Sequence, residues 1–212
     1  MTSLSGIRRF DPNHRFFDLL HSMLINVDGL AISIQVILGL PFKTYAQESM
    51  GLDCQQFNMS VKVPIGGPLP GVLAGHSVQG IDVDFAPKQA GWAATYSVNG
   101  LALVLNNVGA QTLTVFFERY RPWIETNFGK DVKAWPALFA FIWAVRNAAV
   151  HHEGTVNFTN HNHPGVSWYG LSYSPADNGI RKVIGGDMSI GDMVVLIVEV
   201  SDELDRLGCP VV

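Results

Sequence analysis

From Trp135 to Val145 the chain reads Trp-Pro-Ala-Leu-Phe-Ala-Phe-Ile-Trp-Ala-Val, apolar around nearly the whole circumference of a helix. Such a segment makes about three helical turns with no side suited to water, so it belongs inside a fold and is covered from several directions. The constraint sharpens at its end. There follow Arg146, Asn147, Ala148, Ala149, Val150, His151, His152, Glu153 and Gly154, which set a cation, an amide and two imidazoles where the burial stops. On a helix Asn147 and His151 share a face, whereas Arg146 is offset and reaches the same place only if the last turn loosens toward Gly154, a natural helix stop.

The pattern Arg-Asn-x3-His at the end of an apolar helix, with Gly close behind, resembles the signature of the HEPN superfamily. The resemblance places the family's Arg on Arg146, its polar residue on Asn147 and its His on His151. It implies a mostly α fold, a HEPN-like four-helix bundle, and a homodimer in which Arg and His of both copies meet near the dimer axis. It also implies an activity found in many members, metal-independent cleavage of RNA, in which a 2′-hydroxyl attacks its own phosphodiester and no metal or other cofactor takes part. Such relatives serve as toxins, phage-defence effectors or RNA-processing factors. The alternative that the resemblance leaves open is a non-catalytic HEPN-like dimer that binds a partner protein, such as an antitoxin, or a nucleotide.

The residue types suit that chemistry. Imidazole, with an unperturbed pKa of about 6.5, can exchange a proton at working pH. A guanidinium stays charged and offers paired donors to phosphate oxygens, so Arg146 is the candidate for stabilising the extra negative charge of the transition state. His151 is the candidate acid or base, and Asn147 a support for either the ring or a phosphate. A rival reading makes metal ligands of His151, His152, His161 and His163, but adjacent histidines diverge on a helix and the usual ligand spacing is missing. His14, His21 and His76 read as structural or surface residues.

A length of 212 residues with 48% hydrophobic content suits one large domain over residues 1–212. Only 15% of residues are charged and the formal net charge is -4, which excludes a protein that coats nucleic acid through a broad basic face. Contact with RNA would have to be local. Cys54 and Cys209 are too few for a disulfide framework or a Cys-based zinc site, which fits a reducing, cytoplasmic setting. Met1 to Phe10 lacks the apolar run of a secretory signal. The apolar stretches Met23–Phe42 and Gln89–Phe117 are interrupted by Asn26, Asp28, Gln35, Asn99, Asn106, Asn107 and Gln111, so no membrane insertion is expected.

Along the chain, Asp11-Pro12-Asn13 supplies turn chemistry before a helix that runs toward Leu40, with Gly29 as a weak point and Pro41 as its end. Glycines and prolines crowd the next part, read as an insertion over about 43–88 with short strands at Met59–Val63 and Gly80–Phe85. A long or kinked helix then occupies Ala90 to about Phe128, with Trp92 and Tyr96 in its buried share and Pro122 as the point of kink or restart. Arg119 and Arg121 at its polar end read as a solvated face. After the motif helix, 155–185 holds an aromatic hairpin around Val166–Tyr173. Ser189, with Asp192 in the third position beyond it, caps a closing helix that runs to Gly208.

Overall fold

The computed structural model describes residues 4–37, 49–65, 68–88, 99–151 and 153–212. Among them lie β1 (Gly6–Phe10), α1 (Phe17–Ile37), β2 (Ser49–Asp53), β3 (Met59–Pro64), α2 (Pro68–Leu73), β4 (Ile81–Pro87), α3 (Asn99–Phe128), α4 (Ala137–His151), β5 (Val166–Trp168), β6 (Leu171–Tyr173) and α5 (Ile190–Arg206). The expected mostly α four-helix bundle is therefore incorrect: this is a mixed α/β fold. Four strands form one antiparallel sheet in the order β1-β4-β3-β2, and β5 and β6 form a separate hairpin.

The difference lies in the glycine- and proline-rich part, whose prolines punctuate regular elements: Pro64 and Pro87 end β3 and β4, and Pro68 opens α2. Between these stops β4 alternates strictly, with Ile81, Val83 and Phe85 buried and Asp82 exposed, so one face of the sheet enters the core. The sheet is completed from the other end of the sequence. β1 pairs with β4 from Gly6↔Phe85 to Phe10↔Ile81, which makes Gly6–Phe10 an edge strand. Within the expected insertion of about 43–88, the described residues supply β2, β3 and β4 of the main sheet with α2 between β3 and β4, and the expected strands at Met59–Val63 and Gly80–Phe85 are β3 and β4.

The Asp11 turn forms as its chemistry suggests, with Asn13 N–H donating to Asp11 Oδ1 at 2.8 Å. α1 continues through Gly29, and its expected stop at Pro41 lies outside the described residues, as do Trp92 and Tyr96. α3 runs unbroken through Pro122, which withholds one N–H from the ladder without ending the helix. No helix among the described residues is long and apolar enough to cross a membrane.

α5 is the axis of the core. Met193, Leu196, Ile197 and Leu204 have no measurable exposure, and the helix packs against α3, α4, β2 and β3. Its start is fixed by a fully buried carboxylate. Asp192 accepts from Ser189 N–H at 2.9 Å and Ser189 Oγ at 2.8 Å, completing the expected cap. It also accepts from Gln55 N–H at 2.7 Å and Gln56 N–H at 3.1 Å, which clamps the β2–β3 turn onto the helix. That approach is close enough to require Gly191, where a Cβ would stand 2.5 Å from Leu52 O. At the far end of α5, Asp202 pairs with Arg8 of β1, and Asp205 pairs with Arg15. Arg15 is only 2% exposed and also donates to Cys209 O at 2.8 Å while its guanidinium lies over the Tyr120 ring.

The β5–β6 hairpin turns at Tyr169 and Gly170, whose φ of 43° and 87° match the double left-handed turn that two-residue hairpins favour. Phe141 of α4 packs on Trp168 and stacks on Tyr173, so the hairpin covers one side of the apolar motif helix. α3 and α5 lie against α4 as well. The prediction that this helix needs cover from several directions is met, although a hairpin supplies part of the cover expected from helices.

Candidate functional site

α4 ends at His151, and the chain leaves it through Glu153 and Gly154, both at positive φ. Gly154 closes the end by donating to Ala148 O at 2.9 Å, and its own carbonyl accepts from Val183 N–H and Ile184 N–H at 2.7 and 3.1 Å. The last turn is thereby docked and regular. It does not loosen to bring Arg146 round, as the spacing had suggested. The side chain itself bridges the offset: Arg146 Nη1 donates to Asn147 Oδ1 at 2.9 Å and stands 3.0 Å from His151 Nε2.

All three sequence-predicted residues therefore meet at one helix end. Because a guanidinium can only donate, Nε2 of His151 is the acceptor in this contact, and a neutral ring carries its proton on Nδ1. The Arg146 side chain is 15% exposed, whereas His151 lies at the surface. Asn147 has one amide oxygen committed to Arg146, leaving its amide hydrogens for another acceptor.

A fourth residue belongs to the cluster and was not singled out from sequence. Glu118 of α3 brings Oε1 to 2.5 Å from Arg146 Nη2. The contact is an ion pair by distance, yet it lacks the direction of a hydrogen bond, and the buried Nε of Arg146 has no acceptor. Sequence held one clue, since Glu118 is the first charged residue after a run from 89 to 117 without Asp, Glu, Lys or Arg. Of its neighbours, Arg119 pairs with Asp18 at 3.3 Å, while Arg121 pairs with Glu125 at 2.7 Å and also stands 3.9 Å from Glu118 Oε2.

Compared with protein-family models, with curated proteins and with solved structures, the chain shows no significant match. The HEPN resemblance thus rests on Arg146, Asn147 and His151 alone.

Among the described residues the other histidines do not join this site as a metal centre. His161 is exposed, while His163 is buried, stacked on Trp143 with 6.0 Å between ring centroids and packed on Phe158 at 4.8 Å. Burial, with Lys133 beside it, pushes the His163 pKa below the ordinary histidine value. His152 lies outside the described residues. Among the described residues no group of three or more His, Cys, Asp or Glu side chains is placed to hold an ion. His14 accepts from Phe16 N–H at 3.1 Å and His21 stacks on Phe17, both structural roles, and His76 is exposed.

Proposed function

We propose that the protein is a metal-independent endoribonuclease whose reaction is carried by His151 and Arg146. The observation that supports this reading is the bridge from Arg146 Nη1 to Asn147 Oδ1 and His151 Nε2, at 2.9 and 3.0 Å. It joins a permanent cation to an imidazole nitrogen that presents a lone pair. When an RNA phosphate takes over the Arg146 donors, Nε2 is released to accept the proton of the adjacent 2′-hydroxyl. The 2′-oxygen then bonds to phosphorus, Arg146 offsets the charge gathering on the phosphorus oxygens, and the bond to the 5′-oxygen breaks. Cyclic phosphate and a 5′-hydroxyl remain. The leaving oxygen takes its proton from the imidazolium of a second copy, so the reading includes a homodimer with two such helix ends facing one another. Asn147 holds the guanidinium in line and keeps an amide for a phosphate oxygen.

One observation favours a second reading, a non-catalytic binding protein for a partner protein or nucleotide. Glu118 already neutralises Arg146 within the chain, as expected of a cluster that holds a surface together. The two readings separate in one assay. Mixed RNA incubated with the protein in excess EDTA is cleaved to cyclic-phosphate ends under the first reading, and both His151→Ala and Arg146→Ala abolish the products. Equal background from all three proteins, with folding shown intact by circular dichroism, defeats the nuclease and leaves the binding role.

A further inference from the structure

β1 is tied to the far end of α5 by two guanidiniums, and His14 stands in the turn between them. Arg8 of β1 holds both oxygens of Asp202, and Arg15, just ahead of α1, holds Asp205 and the Cys209 carbonyl. The connection is a tight turn in which His14 N–H donates to Asp11 O and Phe17 N–H to His14 O, both at 2.9 Å. The His14 ring takes a further amide. Its Nδ1 accepts from Phe16 N–H at 3.1 Å, as the side-chain oxygen of an Asn does in the same kind of turn. The ring also supports the strand: Phe10, the last residue of β1, meets it edge-on with centroids 4.8 Å apart, and the Arg8 guanidinium lies 5.4 Å from the Phe10 ring centroid.

Each of these contacts requires a neutral imidazole. With Nδ1 accepting, the proton sits on Nε2, which is closed to solvent and has no hydrogen-bond partner among the described residues. A second proton turns Nδ1 into a donor set against another donor, Phe16 N–H, and places a charge on a ring whose Nε2 cannot be hydrated. The charged groups that face the ring are Arg8 from β1, Arg15 beside it in the turn, and Asp202 and Asp205 from α5. Both carboxylates already serve the two arginines, so a third cation competes for them. Burial first, and Arg8 after it, hold the His14 pKa below the ordinary histidine value.

We propose that His14 is an acid-operated latch: protonation drives its ring out of the turn, loosens the hold of Arg8 and Arg15 on α5, and frees β1 from the sheet while the rest of the fold stands. β1 is suited to separate release because it is a five-residue edge strand paired on one side only, by β4. Its departure uncovers the β4 edge. The latch is independent of Arg146 and stands whether or not the chain cleaves RNA.

Hydrogen exchange of the whole protein, followed by mass spectrometry at about pH 8, 6.5 and 5 and corrected for the intrinsic rate at each pH, tests this. The expected result is a fall in protection of residues 6–16 that β3 and the middle of α5 do not share. By about pH 5 it reaches at most about thirtyfold, the limit for an imidazole whose pKa is about 6.5 once released. His14→Asn keeps an acceptor for Phe16 N–H and does not titrate in this range, so its protection stays level. His14→Ser, whose hydroxyl can take the same N–H, replaces it if the asparagine variant does not fold. Protection of 6–16 that changes by less than about twofold in the native protein, that falls equally along the whole chain, or that falls as far in the variant overturns the proposal.

Discussion

Substituting Glu118 by Gln tests whether Arg146 is held in reserve for a phosphate. The carboxylate lies 2.5 Å from Arg146 Nη2, with side-chain exposures of 39% and 15%, so solvent screens the pair on the glutamate side. A partly exposed ion pair of this kind contributes up to about 1 kcal/mol. An RNA phosphate must displace or share that interaction. Removing the charge while keeping the side-chain shape lowers the cost of RNA binding by about 1 kcal/mol, or about fivefold in Kd. The assay is fluorescence anisotropy with an oligonucleotide carrying 2′-deoxy sugars, which binds without being cut. The same measurement in Arg146→Ala and in the double variant closes the cycle. The gain is expected only where Arg146 is present, since a general relief of the -4 net charge would persist without it. A Glu118→Gln protein that binds no more tightly, or that gains equally in the Arg146→Ala background, refutes the reasoning that these two residues share one site.

Asp192→Ala removes a buried acceptor and strands the N–H groups of Gln55 and Gln56, with an expected loss of about 3 kcal/mol in urea unfolding; a change below about 1 kcal/mol would show that the β2–β3 turn does not depend on this clamp. Gly191→Ala places a methyl 2.5 Å from Leu52 O and is expected to cost about 1 to 3 kcal/mol in the same measurement, whereas unchanged stability would mean that the turn and helix can separate freely. Acid should destabilise the fold through His14 and His163. Both have pKa values lowered from 6.5, chiefly by burial, with Arg8 also acting on His14 and Lys133 on His163. The unfolded chain therefore binds their protons first, so their contribution to stability is full above that value and falls as the pH drops through it. Thermal midpoints that stay level on going from about pH 8 to 5 in both the native protein and His14→Gln would contradict this linkage.

The parts of the structure that sequence made legible are those whose signals are local. Trp135–Val145 is apolar all round, and Ser189 with Asp192 makes a complete cap, so α4 and α5 emerge close to where the pattern places them. Tyr169-Gly170 between alternating aromatics marks the hairpin for the same reason. β1 has no such signal. Gly-Ile-Arg-Arg-Phe does not alternate cleanly, and its pairing partner lies in β4, on the far side of α1, so only tertiary hydrogen bonding makes it a strand. Met59–Val63 and Gly80–Phe85 carry strand signals and become β3 and β4, but β1 and β2 carry none, so two short strands read as an addition to a helical bundle and not as the middle of a four-stranded sheet. At the site, the residues within one helix were legible because helical spacing relates them. Glu118 was not, because nothing in the spacing of α3 and α4 says which turn of one lies beside which turn of the other.

The joining of β1 to α5 bears on how the polypeptide is made. Arg8 and Asp202 are separated by 194 positions, and Arg15 reaches Asp205 and Cys209 over a similar span. At translation speeds of about 5 to 20 residues per second, the first strand waits roughly 10 to 40 s on the ribosome before its anchoring helix exists. During that interval an unpaired edge and the apolar face behind it are open to other chains, so newly made protein should depend on holdase chaperones more than its size alone would suggest.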